Sequence, residues 1–256
     1  MHADTPAKSF SQTSDLVSIS IVSHQHGALV NELLGGIARC CRNVEVLLTV
    51  NIEERLPFDE ASFDIPLRIV RNATARGFGA NHNAAFRRAQ GRYFCVLNPD
   101  MRLNADPFPV LIEALADPRV GVVAPRVANP AGETEDSARR FPSLWVIVRK
   151  ALTGAQHHDY EVANAPLRPE WVAGMFMLFR SEVFRQLGGF DERYFLYYED
   201  VDLCRRLRRL GYDALLEPRA VALHDARRAS HRDLRHFLWH TRSLARFLIS
   251  RAAGGS

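Results

Sequence analysis

Residues 16–50 have the sequence LVSISIVSHQHGALVNELLGGIARCCRNVEVLLTV, and this stretch predicts an α/β fold. Residues 16–23 and 44–50 are short runs of Val, Ile and Leu, which are typical of buried strands. Between them, Leu29, Leu33 and Ile37 recur at the spacing of one helix face. A strand, a helix and a second strand in this order predict a right-handed βαβ unit with parallel strands.

The same alternation continues along the chain. Further strands are predicted at residues 67–70, 92–97, 120–125, 171–180, 214–217 and 220–224, and helices at 78–89, 107–116, 181–187, 199–210 and 230–251. Residues 128–170 interrupt this pattern with four prolines and predict a long loop or lid over the ligand-binding face. Strands that alternate with helices predict one domain with a mostly parallel central sheet.

Composition restricts the function classes. The chain has 256 residues, of which 47% are hydrophobic, and this is enough for the core of one domain. Its formal net charge is +4, and its basic residues are almost all arginine, with lysine only at Lys8 and Lys150. Arginine binds phosphates bidentately, which favours nucleotide diphosphates, lipid diphosphates or an anionic membrane surface as partners; a biased genome is the alternative explanation. The lack of a dense basic module argues against nucleic acid.

Other features predict a cytoplasmic protein. No apolar run approaches the ~18–20 residues that span a bilayer. Residues 1–15 form a polar N-terminal extension without the apolar stretch of a signal peptide. The cysteines, at positions 40, 41, 95 and 204, contain no CxxC pair and so predict neither a zinc site nor a disulfide framework.

Residues 188–206, GGFDERYFLYYEDVDLCRR, concentrate acidic and aromatic side chains. Glu199, Asp200 and Asp202 share one helical turn and directly follow Tyr197 and Tyr198. Acids at a helix start also cap free N–H groups and complement the helix dipole, so a capping role is the alternative. The aromatic run, together with a second acidic motif upstream, favours a sugar-transfer site.

That second motif is NPD, residues 98–100, at the end of a predicted strand. Open α/β sheets bind ligands at the carboxyl ends of their strands. A carboxylate at Asp100 can hold Mg²⁺ or Mn²⁺ together with phosphate oxygens, although NPD is also a turn signal. In the preceding segment RNATARGFGANHNAAF, residues 71–86, Gly77 and Gly79 permit close backbone approach, and the amides of the next helix can face a phosphate or a base.

In their order along residues 16–250, SISIVSH, RNATARGFGANHNAAF, VLNPDMRL, YYEDVDLCRR and a late histidine resemble the inverting glycosyltransferases of the GT-A fold. The similarity is to the large family 2 type, in its rhamnosyltransferase-like branch, which builds O-antigen and related surface polysaccharides. It implies a nucleotide-binding α/β fold with helices on both faces of the sheet and a C-terminal helix. It also implies a nucleotide-sugar half (16–127), the loop or lid (128–170), an acceptor and catalytic half (171–228) and an amphipathic helix (229–251).

The resemblance also implies roles for individual residues. Asp200 matches the general base, with Glu199 beside it, and Asp100 matches the metal position, with His224 as a second ligand of Mg²⁺ or Mn²⁺. The residues implied for the nucleotide sugar are Ser23, His24, Asn51, Asn72, Gly77, Phe78, Gly79, Asn81, Asn98 and Asp100, and those for the acceptor are Trp171, Gly174, Tyr197 and Tyr198.

Two departures from the family pattern affect these expectations. Asn98 replaces the first acid of the family's DXD motif, which weakens the case for strict metal dependence. After the second strand, only Asn51 remains of an Asp-Asn pair that contacts uracil or thymine, so base recognition stays open.

The implied activity is inverting transfer of a sugar, with rhamnose from dTDP-rhamnose as the first expectation, to a glycan or polyprenyl-diphosphate-linked acceptor. A single displacement needs a general base for the acceptor hydroxyl and charge stabilisation for the leaving diphosphate, for which Arg139 and Arg140 are candidates. The alternatives are a sugar-phosphate nucleotidyltransferase, whose N-terminal phosphate loop the chain lacks, and a non-catalytic glycan-binding protein.

The C-terminal helix has two predicted stripes. The apolar stripe, predicted to pack on the domain, comprises Leu234, Phe237, Leu238, Leu244 and Leu248. The second stripe, predicted to face solvent or an anionic membrane, comprises Arg235, Trp239, Arg242 and Arg246. Membrane binding would make the protein peripheral on the inner face of the cell membrane.

Overall fold

The computed structural model describes residues 15–142, 159–225 and 234–253. The strands are β1 (Val17–Ser23), β2 (Val44–Val50), β3 (Leu67–Arg71), β4 (Tyr93–Leu97), β5 (Met101–Arg102), β6 (Val120–Ala128), β7 (Ala138–Arg139), β8 (Trp171–Val172), β9 (Phe176–Arg180) and β10 (Asp213–His224). The helices are α1 (Gly27–Cys40), α2 (Phe78–Phe86), α3 (Phe108–Ala114), α4 (Ser181–Gln186), α5 (Glu199–Arg209) and α6 (Leu234–Ala253), with a 3₁₀ turn at Glu60–Ser62.

Eight strands form one sheet in the order β3-β2-β1-β4-β9-β6-β10-β5. The β3, β2, β1 and β4 strands are mutually parallel, as are β6 and β10. The β9 strand runs antiparallel to both of its neighbours, and β5 runs antiparallel to β10. The predicted mostly parallel α/β sheet is therefore confirmed.

Alternate residues of the strands build a core on each face of the sheet. Ile19, Ile21 and Cys95 pack under α1 and α3 on one face. Phe94 and Val96, the residues on either side of Cys95 in β4, pack on the other face among side chains of α2, α4, α5 and α6. This arrangement follows from the period of two in a strand, which sends successive side chains to opposite faces. Helices thus cover both faces, as predicted.

Two strand predictions need correction. Residues 171–180 form two strands, β8 and β9, because residues 173–175 leave the sheet between them. Residues 214–217 and 220–224 belong to one strand, β10, whose pairing with β6 shifts register between Glu217 and Val221. Pro218 lacks a backbone N–H for the ladder, which accounts for an irregularity within a continuous strand.

The predicted loop 128–170 is partly built into the domain. Ala138 and Arg139 pair with Val172 and Trp171 in a small antiparallel sheet, and Leu167 bridges to Leu216. Residues 143–158, the middle of the predicted lid, lie outside the described residues. The lid therefore stays a prediction.

The predicted orientation of the C-terminal helix is wrong in part. Leu248 packs against the core and Arg242 is exposed, as predicted. Phe237 and Leu238, assigned to the packed stripe, are exposed, whereas Phe247 and Ser243 are buried. Trp239, assigned to the solvent stripe, has its ring centroid 4.9 Å from that of Phe195. Apolar residues occur all round this helix, so their spacing does not single out one face; the aromatic loop before α5 selects the face that packs.

Candidate active site

Side chains at the carboxyl ends of β1, β2 and β3 form a hydrogen-bonded network centred on Asn51. The Asn51 Oδ1 atom accepts from the Arg76 backbone N–H (2.8 Å) and from Asn72 Nδ2 (3.0 Å). Its Nδ2 atom donates to the Arg76 carbonyl (3.0 Å) and to His24 Nδ1 (3.1 Å). Asn72 also donates to Asn81 Oδ1 at 2.7 Å. Four predicted donor-site residues are therefore brought together, and the network fixes the loop between β3 and α2.

A pocket of about 390 Å³ opens beside this network. It is lined by residues 50–53 and 71–75, directly beyond the ends of β2 and β3. Concave sites with convergent polar groups are the usual place for a small ligand. Glu53 and Thr74 line the pocket and were missed by the sequence reasoning, because neither belongs to a motif with a recognisable spacing.

Ser23 was also predicted to line the nucleotide pocket. Its side chain is buried, and its Oγ accepts from the backbone N–H of His26 at 3.2 Å. Glu54 accepts from the N–H of Gly27 at 3.0 Å and so caps the start of α1. Ser23 thus supports the loop that carries the exposed His24.

The glycines of residues 71–86 allow a close approach, but to other parts of the protein. A Cβ atom on Gly77 would lie 2.7 Å from the carbonyl oxygen of Phe195, and one on Gly79 would lie 2.5 Å from Cβ of Phe190. The Phe78 N–H, at the start of α2, donates to the Phe195 carbonyl at 2.8 Å. These features therefore hold α2 against residues 190–195, and their contact with a phosphate or a base stays a prediction.

Residues 173–175 connect the motifs that the sequence separates. The Ala173 N–H donates to the carbonyl of Ser137 (2.8 Å), and the Gly174 N–H donates to Oδ2 of Asp200 (3.0 Å). The Met175 carbonyl accepts from the N–H of Asn98 (2.9 Å). Three consecutive residues thus contact the loop after β6, the acidic turn and the NPD motif. This tripeptide places Asp200 and the NPD motif at one site.

The carboxylate of Asp200 is held by backbone amides. Its Oδ1 accepts from the Val201 N–H at 2.8 Å, in addition to the Gly174 bond at Oδ2. Burial raises the pKa of Asp200 above its ordinary value, while these backbone hydrogen bonds oppose the shift. A fixed carboxylate with a raised pKa suits proton abstraction.

Glu199 lies next to Asp200 but in different surroundings. It is buried, and its Oε2 has no hydrogen-bond partner among the described residues. Burial raises the pKa of Glu199 well above its ordinary value, and the charge of Asp200 raises it further. Burial and the neighbouring charge thus favour the protonated form of Glu199, while the two backbone amides favour the charged form of Asp200.

The residues just before the acidic turn are strained. Tyr197 and Tyr198 have φ angles of 69° and 68°, in the left-handed region that non-glycine residues avoid. Helix α6 stabilises this conformation through a 2.9 Å hydrogen bond between the Tyr197 hydroxyl and His236 Nδ1. The Tyr198 ring packs on His240, with centroids 5.2 Å apart. Strain of this kind clusters at functional sites.

Trp171, predicted to stack on a sugar, is mostly enclosed by protein. Its indole Nε1 donates to the carbonyl of Arg140 at 2.9 Å, and the Arg139 guanidinium lies 5.5 Å over its ring. Arg139 also pairs with Asp136 at 2.9 Å. This packing leaves little ring surface for stacking and holds the Arg139 guanidinium between Trp171 and Asp136.

Asp100 and His224 meet because β5 pairs with the end of β10. In that register His224 lies opposite Met101, and the Nε2 atom of His224 is 3.1 Å from Oδ2 of Asp100. Nδ1 of His224 is 2.6 Å from Oε2 of Glu135, a residue the sequence reasoning missed because it lies in the irregular segment after β6. Hydrogen bonds to both carboxylates, Asp100 first, raise the pKa of His224 to about 9.

This cluster fits a divalent cation whose remaining ligands come from a phosphate. Oδ1 of Asp100 is buried without a hydrogen-bond partner among the described residues, so it has an unused acceptor. Within residues 15–142, 159–225 and 234–253, no three or more His, Cys, Asp or Glu side chains form a group that could hold a metal by themselves. Magnesium and manganese sites at phosphates need only one or two protein ligands.

Known proteins are similar to this chain in sequence. The N-acetylglucosaminyl-diphospho-decaprenol L-rhamnosyltransferase of Mycobacterium tuberculosis is 35% identical over 62% of this chain and 55% of its own length, so the chain spans about half of that relative. Rhamnosyltransferase WbbL of Escherichia coli is 28% identical over 91% of this chain and 92% of WbbL.

Similarity to a solved structure extends over nearly the whole chain. The mannosyltransferase PcManGT of Pyrobaculum calidifontis, solved in complex with GDP-Man and Mn²⁺, has a TM-score of 0.64 at 19% identity. The match covers 94% of this chain and 65% of that one, and it shows a shared GT-A fold. The model of the family named Glycosyl transferase family 2 matches residues 51–188, more than half of the sequence. The chain therefore belongs to glycosyl transferase family 2.

Proposed function

We propose that the chain is an inverting glycosyltransferase of bacterial surface polysaccharide synthesis. It transfers a sugar from a nucleotide-diphosphate donor to a hydroxyl of a glycan or lipid-linked acceptor. The observation that carries this proposal is the tripeptide 173–175, which contacts the Asp200 carboxylate and the NPD motif through adjacent residues. A carboxylate for the acceptor and a phosphate-binding acid for the donor are the two groups that the reaction needs at one site.

Rhamnose, donated by dTDP-rhamnose, is the proposed sugar. Support comes from two relatives whose names include rhamnosyltransferase, one of them similar over 91% of this chain. The pocket beside Asn51 and Asn72, beyond the ends of β2 and β3, is the proposed site of the base and ribose. The name of the mycobacterial relative further supports an N-acetylglucosaminyl-diphospho-lipid as the acceptor class.

Asp200 is the proposed general base. The Gly174 and Val201 amides orient its carboxylate, and burial strengthens it as a base by raising its pKa. In an inverting transfer the acceptor oxygen attacks the anomeric carbon while Asp200 takes the hydroxyl proton, and the bond to the nucleotide diphosphate breaks. Gly174, Tyr197 and Tyr198 are the proposed acceptor-side residues around this carboxylate.

Asp100 and His224 are the proposed ligands of a divalent cation, Mg²⁺ or Mn²⁺, and His224 binds the ion only after its Nε2 atom loses the proton shared with Asp100. When bound, such an ion neutralises charge that develops on the leaving diphosphate. Glu135 accepts a hydrogen bond from Nδ1–H of His224, which fixes the ring with Nε2 toward Asp100. Second partners of this kind orient metal-binding histidines in many proteins. Glu135 is therefore a positioning residue.

Thermal shift with a panel of nucleotide sugars tests the donor site. We expect dTDP-rhamnose with Mn²⁺ to raise the melting temperature more than UDP-GlcNAc or GDP-mannose does, since ligands that bind only the folded state stabilise it. The increase should shrink in EDTA and in Asp100→Ala, but not in Asp64→Ala, an exposed acid outside the site. No shift with any donor contradicts the proposed function, and equal shifts with and without EDTA contradict the metal role.

A further inference from the structure

A groove of about 760 Å³ lies between α5 and α6, away from the candidate active site. It contacts α5 through Asp202, Arg205, Arg206 and Arg209, which form one stripe of the helix. At 100° per residue, Asp200 lies on roughly the opposite side of α5 from this stripe. The groove is therefore distinct from the surface that carries the proposed general base.

The groove is strongly basic. Its lining residues include six arginines and two aspartates, so positive charges exceed negative ones by four. The arginines are Arg193, Arg205, Arg206, Arg209, Arg242 and Arg246. Both aspartates are already engaged, Asp191 with Arg193 at 2.6 Å, and Asp202 with Arg206 at 2.8 Å and Arg205 at 3.3 Å. Arg242 and Arg246, on α6, add positive charge to the groove beyond these pairs.

Arg205 lies at the floor of this groove. Its side chain is only 12% exposed, and its Nη2 donates to Ser250 Oγ at 2.9 Å. The Nε and Nη1 atoms are buried and have no hydrogen-bond partner among the described residues. Protein covers both atoms, and the guanidinium lies 5.1 Å over the Phe247 ring. Arg205 therefore adds positive charge beneath the groove without offering a donor to an anion inside it.

An apolar surface borders the groove on α6. Phe237, Leu238 and Ile249 are 67%, 61% and 70% exposed, which is unusual for large hydrophobic side chains. Leu238, Arg242, Ala245 and Ile249 follow the spacing of one helix face, and the last three line the groove. The apolar face and the basic groove are therefore continuous.

We propose that this surface, the α5–α6 groove with the apolar face of α6, docks the protein on a membrane of anionic phospholipid. Headgroup phosphates lie against Arg242 and Arg246, and Phe237, Leu238 and Ile249 enter the headgroup layer. A free phosphate leaves the apolar face unexplained. A second copy of α6 fits poorly, because residues 234–253 contain no Asp or Glu and would place arginine against arginine. No helix within the described residues is long and apolar enough to span a bilayer. The proposal goes beyond sugar transfer and does not depend on it.

Flotation with lipid vesicles tests the proposal. We expect the full chain to float with phosphatidylcholine–phosphatidylglycerol vesicles at low salt, to dissociate as salt rises, and to bind pure phosphatidylcholine weakly. Arg242→Glu should lower binding about tenfold or more, since each basic residue contributes substantially at an anionic surface. Arg68→Glu, the same charge reversal at an exposed position of β3, is the matched control and should bind as wild type does.

A second variant tests the apolar contribution. The double substitution Phe237→Ser with Leu238→Ser should weaken flotation while the urea midpoint of unfolding stays close to that of wild type, which shows that the variant is folded. Absence of wild-type flotation, or equal flotation of Arg242→Glu and Arg68→Glu, overturns the proposal. Stabilisation by pyrophosphate that is lost in Arg242→Glu, without any flotation, overturns it in favour of a soluble anion. Binding to an acidic polypeptide but not to vesicles overturns the proposal in favour of a protein partner.

Discussion

Glu199 and Asp200 are adjacent carboxyl groups that the fold treats differently. Asp200 receives two backbone N–H groups, whereas Oε2 of Glu199 has no partner among the described residues. Both pKa values are raised by burial, and the charge of Asp200 adds to the shift of Glu199. Hydrogen bonds from N–H groups favour a charged carboxylate, and burial without such bonds favours a protonated one. We therefore predict that Glu199 is the protonated member of the pair.

Glu199→Gln tests this assignment through stability. A carboxyl group with a raised pKa in the folded state loses its proton first in the unfolded state, so it destabilises the fold above the unfolded pKa. Each unit of that shift costs about 1.4 kcal/mol. Glutamine mimics the protonated acid, so Glu199→Gln should be more stable than wild type near neutral pH, with the gain disappearing below the unfolded glutamate pKa of ~4.3.

Urea unfolding near neutral pH and below pH ~4.3 measures the difference in stability between Glu199→Gln and wild type. Glu182→Gln changes a glutamate whose side chain is 77% exposed and should show no such pH-dependent gain. A Glu199→Gln protein that is less stable than wild type at neutral pH would show that Glu199 is ionised and paired.

At the scale of elements, the close packing of α2 against the segment 190–195 depends on Gly77 and Gly79. Asn83 reinforces this contact, since its amide exchanges two 2.9 Å hydrogen bonds with the backbone of Phe190. The segment leads directly into Tyr197, Tyr198 and the acidic turn. The position of α2 therefore governs the geometry of the proposed catalytic residues.

Gly79→Ala should destabilise the domain. Its Cβ would lie 2.5 Å from Phe190 Cβ, and overpacking of this kind typically costs about 1–3 kcal/mol. Gly35→Ala, inside α1, meets only the flexible end of Arg39 at 3.3 Å and should be neutral or stabilising because alanine favours the helix. Thermal unfolding of both variants measures the contrast. Equal stability of Gly79→Ala and wild type would mean that α2 does not press on Phe190.

Element patterns in the sequence predicted most of the fold and part of the site. The βαβ periodicity predicted the parallel strands, and the short spacing of Asn98 and Asp100 after a strand predicted their edge of the sheet. The packing face of α6 was not predictable, because its partner, the aromatic loop at 194–198, is distant in sequence. Glu135 was not predictable either, since its contact with His224 depends on pairing across 89 residues.

On the scale of the whole molecule, the two faces of the domain have separate proposed tasks. The carboxyl ends of the strands gather the asparagine network, the Asp100–His224 cluster and Asp200 through residues 173–175. Helix α6 contributes to both faces, because its inner side contacts Tyr197 and its outer side borders the basic groove. A docked helix would thus hold the acceptor side of the site near the membrane, where a lipid-linked sugar resides.

The rate of rhamnose transfer by Asp200→Asn tests the central claim most directly. The rate is measured with saturating dTDP-rhamnose and a short-chain N-acetylglucosaminyl-diphospho-lipid, and donor affinity is measured separately by calorimetry. Asparagine keeps the shape and can accept from one of the two N–H groups, that of Gly174 or that of Val201, but it cannot take a proton. We predict a kcat lower by about 10²–10⁴-fold with donor affinity nearly unchanged. A kcat within a few-fold of wild type would contradict the assignment of Asp200 as the general base.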